Sequence, residues 1–268
     1  MTDTQKLIKY IAIALAIALI VAIVSGIAGV LGIFTFIFEG DIVDDEMTSY
    51  EVSKSITSLD ISISAASFTI KTGDSISVES NLKKLKVSEK SSCLTVEEKT
   101  KVSYNATGAS LTLYVPEGYT FENVDIKTGA GKISLGELSC KKLTLSLGAG
   151  DFDAESLTVT DKCKISGGVG EFTLMEGSIA DLELEMGVGD MSVSAKLIGN
   201  CELTFGVGKT TLNLLGSEED YRFIIEKGLG SITLNGEKLS ASDSSYGKGD
   251  TRIEIEGGIG NINITIGE

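Results

Sequence analysis

The run "LTFGVGKTTLNLL", residues 203–215, carries Gly206-Val207-Gly208-Lys209-Thr210-Thr211 and looks like the close of a phosphate-binding loop. Such a loop needs G-x-x-x-x-G-K-[ST], because its first glycine lets backbone N–H groups wrap the phosphates, and it must open a helix. Five residues before Gly208 stands Leu203, and Thr211-Leu212-Asn213-Leu214 alternates polar and apolar as a strand does. No third glycine follows at the spacing of a dinucleotide fingerprint. A nucleotide is excluded, so the glycine pair must serve the fold.

Six sister copies say how. Gly-x-Gly recurs at Gly129/Gly131, Gly148/Gly150, Gly168/Gly170, Gly187/Gly189, Gly206/Gly208, Gly228/Gly230 and Gly258/Gly260, with steps of 19, 20, 19, 19, 22 and 30 between the first glycines. Between the glycines sits a small or aliphatic residue, and after them one polar residue and then an alternating stretch such as "DFDA", "EFTL" or "KTTL". Period two means strand, and no unit of this size can bury its apolar face alone. Stacking units about 4.8 Å apart buries a continuous apolar column and leaves the alternate polar residues outside. The expected fold is all-β: a single β-solenoid of about 19–20 residues per coil, with the glycines at its corners. A sandwich suits short strands too, but gives no reason for the repeat. Upstream the signal weakens, with Ala65-Ala66-Ser67 where later units carry glycines. Residues 56–268 would make on the order of ten coils, stacked in chain order.

With these units stand Leu113-Tyr114-Val115-Pro116-Glu117-Gly118, the strand Val124-Asp125-Ile126 and the closing "TRIEIEGGIGNINITI", residues 251–266. In that order they are similar to the bacterial putative-adhesin family of unknown function, repetitive β-strand domains often attached to a membrane helix. The resemblance covers about residues 56–268 and implies a cell-envelope location and, in some members, a link to envelope-stress systems. It brings no catalytic residues to transfer.

Residues 10–38 contain no charged side chain, beyond the roughly 20 residues that a helix needs to cross a bilayer. Lys6 and Lys9 precede this run, and Glu39, Asp41, Asp44, Asp45 and Glu46 follow it. The basic flank then stays in the cytoplasm and the rest is extracytoplasmic. The expected organisation is a short cytoplasmic segment 1–9, a transmembrane signal anchor 10–38, an acidic linker 39–55 and the solenoid 56–268. A cleaved signal peptide is the competing reading, but its apolar core would be shorter.

A net charge of −15 and a pI near 4.5 set the chain against nucleic acid and anionic headgroups. Histidine is absent, which removes Ser-His-Asp and Cys-His nucleophiles and His-ligated zinc together. The one candidate chemistry is a column after the glycine pairs: Lys132, Asp151, Glu171, Asp190, Lys209, Ser231, Asn261. Asp151, Glu171 and Asp190 on successive coils would lie about 5 Å apart, close to the carboxylate spacing of a retaining glycosidase, and can also be read as cation ligands. The simpler reading is a solvated ladder, its repulsion relieved by Lys132 and Lys209. Cys93, Cys140, Cys163 and Cys201 lack C-x-x-C spacing and read as buried free thiols, with Cys140 and Cys163 the pair to check for a disulfide.

The expected function is a membrane-anchored envelope module, structural or binding, with no catalysis and no cofactor. Its partners would be the membrane and then wall polymer, an envelope protein or a second copy. A carbohydrate-active β-helix enzyme and an accessory of a membrane stress sensor are the alternatives. The first of these is weakened by an aromatic content of 6% and no Trp.

Overall fold

The computed structural model describes residues 43–53, 55–98, 107–239 and 244–267. The expected membrane helix at 10–38 lies outside the described residues. Among those described, no helix is long and apolar enough to cross a membrane.

The described chain is all-β, and its coils stack through parallel pairing. Phe152 pairs with Ile133 on one side and Phe172 on the other, Phe172 with Met191, and Met191 with Thr210. These steps of 19 or 20 residues are the repeat seen in the sequence. Alternation decides which side chains turn inward: Leu182–Val188 and Asn200–Val207 bury every second residue. At the centre Phe152 and Phe172 stack with ring centroids 4.5 Å apart and an interplanar angle of 11°. Burying each ring contributes roughly 1.5–3 kcal/mol, so the column of like residues is itself a large part of the cohesion between coils.

The order of the coils differs from expectation at both ends. Asn200–Val207 pairs with Thr251–Glu256, which pairs in turn with Tyr221–Glu226. Thr210–Leu215 pairs likewise with Ile262–Gly267, and that strand with Ile232–Leu234. The last coil in the chain is therefore inserted beneath the one before it. At the other end Ser58–Ala65 lies between Cys93–Glu98 and Thr120–Ala130, and Ser67–Thr72 between Ser110–Val115 and Ile133–Ala149. Here the chain starts in the second coil, goes out to the first, and skips back past itself.

The described residues make nine coils, within the expected order of ten, since nine parallel strands line each of the two long faces. Eight inter-coil steps make a rod of roughly 38 Å. The other strands form caps. Leu85–Lys90 runs antiparallel on Cys93–Glu98, and Ser77–Leu82 on Ser110–Val115. Val43–Glu51 then runs antiparallel on Ser77–Leu82, so much of the expected 39–55 linker is an edge strand instead. Its backbone takes up the hydrogen bonds that Ser77–Leu82 would otherwise leave open, an outcome that the acidic composition concealed. At the far end Ser244–Gly247 covers Tyr221–Glu226, and Glu237–Lys238 covers Ile232–Leu234.

Candidate functional site

The corner is built from the two glycines, each needed for its own reason. A Cβ on Gly206 would strike the carbonyl of Gly187 in the neighbouring coil, 2.9 Å from its carbon and nearer still to its oxygen. Gly208 adopts φ +148, which side-chain-bearing residues rarely reach, and faces Gly189 as closely. The same contacts repeat along both columns: through Gly129, Gly148, Gly168, Gly187, Gly206, Gly258 and Gly228, and through Gly131, Gly150, Gly170, Gly189, Gly208, Gly260 and Gly230. Each column thus follows the spatial order of the coils, with Gly258 and Gly260 ahead of Gly228 and Gly230.

This corner has no N–H groups to give a phosphate. Gly208 N–H donates to the Ile259 carbonyl at 3.0 Å, Lys209 N–H to Asp190 Oδ1 at 2.9 Å and Thr210 N–H to the Asn261 carbonyl at 2.9 Å. The Thr210 side chain, where a P-loop would hold magnesium, faces the core at 4% exposure.

The acidic ladder is likewise occupied by the fold. Asp151 Oδ1 accepts from Glu171 N–H at 3.1 Å, and Asp190 Oδ1 from Lys209 N–H at 2.9 Å. Asn261 Oδ1 accepts from Ser231 N–H at 3.1 Å and from the Ser231 hydroxyl at 2.7 Å. At this position an Asp or Asn latches its coil to the next. Column order is corrected with the coils: Lys209 is followed by Asn261 and then Ser231. Lys132 pairs its ammonium with Asp153 at 2.6 Å, and that contact first, then the more distant charges of Asp151 and Glu171, raises its pKa above the ordinary lysine value. Glu171, Asp190 and Lys209 line one side of a shallow groove of about 270 Å³, with Thr173, Ser192 and Thr211 on the other. Among the described residues, no three metal-ligating side chains converge.

A second latch escaped the sequence reading. Glu98, 8% exposed, lies at the first corner and accepts from Ser64 N–H at 2.7 Å and Ala65 N–H at 3.2 Å. Only the inward phase of Cys93–Glu98 could have marked it, since Glu98 occupies the position of a core residue.

All four cysteines are free. Cys140 and Cys163 belong to different inward columns: Cys140 pairs in register with Phe121 and Val159, and Cys163 with Leu143 and Leu182. Burial pushes the Cys140 thiol up to about 12 and the Cys201 thiol to about 11, and raises Cys163 further still. These thiols pack as apolar groups.

The two long faces of the rod differ in charge. On the face preceding the corner, Lys142 pairs with Asp161, Lys162 and Lys164 with Glu183, and Arg252 with Glu254. Lys164 and, more weakly, Lys162 hold the Glu183 carboxyl below the usual glutamate range. Beyond the corner, from Phe172–Ala180 onward, the first outward position of each strand is Thr173, Ser192, Thr211 or Asn263, while Met175, Glu176, Lys196 and Ile198 are exposed further along.

A capped β-solenoid whose coils meet at a double-glycine corner and are latched by Asp or Asn defines the class of protein. The model of the Toastrack DUF4097 family matches residues 75–265, and the chain belongs to that family. Among solved structures it is similar to a putative cell adhesion protein from Clostridium sporogenes, 20% identical over 82% of this chain and 99% of that one, with a TM-score of 0.35. It is also similar to a putative adhesin from Bacteroides fragilis, 11% identical over 84% of this chain and 100% of that one, with a TM-score of 0.32. No curated protein matches the chain.

Proposed function

We propose that this chain is a membrane-anchored cell-envelope module that acts by presenting the sides of a rigid rod outside the cell, with no catalysis of its own. The observation that carries this reading is the commitment of Asp151 and Asp190 to backbone N–H groups of the next coil, which turns the best candidate for chemistry into a structural latch. With both ends of the rod covered by antiparallel strands, its long faces are the surfaces left for contact. Four residues separate the apolar run ending at residue 38 from Val43, so anchoring would hold the N-terminal cap against the bilayer and point the C-terminal coils away.

Fractionation of cells with and without external protease tests the placement. The full chain should sediment with membranes and be cut on intact cells; recovery in the cytoplasmic fraction, uncut, would overturn it. The link to envelope stress that the family resemblance implies predicts that deleting the gene changes the output of an envelope-stress reporter. An unchanged output would remove that part of the proposal.

A further inference from the structure

The C-terminal half of the rod carries two adjacent outward columns without a charged side chain. In one, Thr173 pairs with Ser192, Ser192 with Thr211, and Thr211 with Asn263. In the other, Ser194 pairs with Asn213 and Asn213 with Thr265. Inward neighbours such as Met191, Val193, Leu212 and Ile262 are buried, so these side chains point outward from a flat strand surface.

The strip contrasts with its setting in a chain of net charge −15, whose other long face is a lattice of ion pairs. Among the described residues, the side chains of Thr173, Ser192, Ser194, Thr211, Asn213 and Thr265 make no hydrogen bond to the protein. Their hydroxyl and amide groups offer both donors and acceptors at a repeat of about 4.8 Å. The first column also forms one wall of the groove of about 270 Å³ whose opposite wall is Glu171, Asp190 and Lys209.

We infer that this strip is a binding face for an uncharged, extended polysaccharide laid along the rod. Charge selects that occupant. The strip itself holds no charge, and on its rim the carboxylates of Glu171 and Asp190 outnumber the Lys209 ammonium, so phosphate, nucleic acid or an acidic glycan gains no net attraction there. A second copy of the chain is disfavoured too, because the one large apolar side chain at the strip, exposed Met175 at its end, is too little for a stable protein interface core. A neutral polymer with hydroxyl groups at every sugar matches both the charge and the mixed donor and acceptor character. Without aromatic platforms each sugar is held weakly, so affinity must grow with the number of coils engaged at once. This inference rests on the reading of the chain as a surface-presenting module and names the ligand class of one face.

The test is co-sedimentation of the full chain, purified in detergent, with microcrystalline cellulose and chitin, and with beads bearing an anionic polygalacturonate. Retention on the two neutral polymers, none on the anionic one, and competition by soluble neutral polymer but not by its disaccharide are expected. The triple variant Thr173→Val, Ser192→Ala, Thr211→Val should lower retention at least about tenfold, consistent with the loss of several simultaneous weak contacts. The hydroxyl-preserving variant Thr173→Ser, Ser192→Thr, Thr211→Ser should restore it, and Thr144→Val with Thr204→Val on the charged face should leave it unchanged. No retention on either neutral polymer, or retention indifferent to the triple variant, overturns the inference. If isolated wall fractions still retain that variant as they do the parent chain, the inference fails while the envelope reading stands.

Discussion

Replacing Gly206 with alanine tests the corner most directly, because the perturbation is one methyl group and its surroundings are backbone. The added carbon would lie 2.9 Å from both the Gly187 carbon and the Met186 oxygen, and closer to the Gly187 oxygen, with no flexible side chain able to move aside. The coils must separate or slide locally, which strains the bonds from Ile259 N–H to Gly206 O at 2.7 Å and from Gly189 N–H to Val207 O at 2.8 Å. Overpacking of this kind costs about 1–3 kcal/mol and each weakened hydrogen bond about 1 kcal/mol, so a loss of roughly 3–5 kcal/mol is expected. For a domain of this size 1 kcal/mol moves the thermal midpoint by about 2–4 °C, giving a fall on the order of 10 °C. Circular dichroism melting of the full chain measures it. Gly267→Ala is the control, since nothing lies within 4 Å of the carbon that it would add. A Gly206→Ala midpoint as close to the parent as that of Gly267→Ala would refute the corner argument.

Asp190→Ala should lower the urea midpoint by the equivalent of about 1 kcal/mol through loss of the acceptor for Lys209 N–H, whereas Asp190→Asn should be nearly neutral because an amide oxygen latches equally at Asn261. Equal destabilisation by both variants would assign the effect to charge. With Cys140, Cys163 and Cys201 buried and their thiols held protonated well above neutral pH, a thiol reagent at pH 7 should label only half-buried Cys93 in the native chain, and all four after denaturation. Native labelling of a second cysteine would show that the core opens. Truncation after Asp250 removes an inner coil and strips Tyr221–Glu226 of its partner Thr251–Glu256, so the amides that face that partner should lose protection from hydrogen exchange while those facing Ser244–Gly247 keep it. Retained protection of the former would mean that this coil can stack directly on Asn200–Val207, in chain order.

The parts of the site that depend on local spacing were legible in the sequence. The double glycines, the outward column of Asp151, Glu171 and Asp190, and the burial of Cys140, Cys163 and Cys201 follow from a period of two inside a period near 19, whereas Cys93, also expected inside, is half-buried. What the ladder does was not legible, because a carboxylate that accepts the next coil's N–H and one facing only water have the same sequence pattern. Glu98 shows the same limit from the other side: its value comes from N–H groups of Ser64 and Ala65, more than thirty residues away. The neutral strip is visible only when residues from separate coils are set in register.

By itself the sequence determined that strands stack in coils, where the corners fall and which side chains turn inward, since these are consequences of strand periodicity and glycine stereochemistry. Only the tertiary structure decided which coil lies on which. Residues 221–234 and 251–267 carry the same alternation and the same corner, so either could continue the column above Thr210; the steps of 22 and 30 were the trace of the exchange. Ser77–Leu82 alternates as a coil strand would, yet runs antiparallel as a cap. Periodicity specifies the face that a strand buries, but hydrogen-bond partners and strand direction are chosen in three dimensions, where covering both open ends of the rod favours the exchanged order.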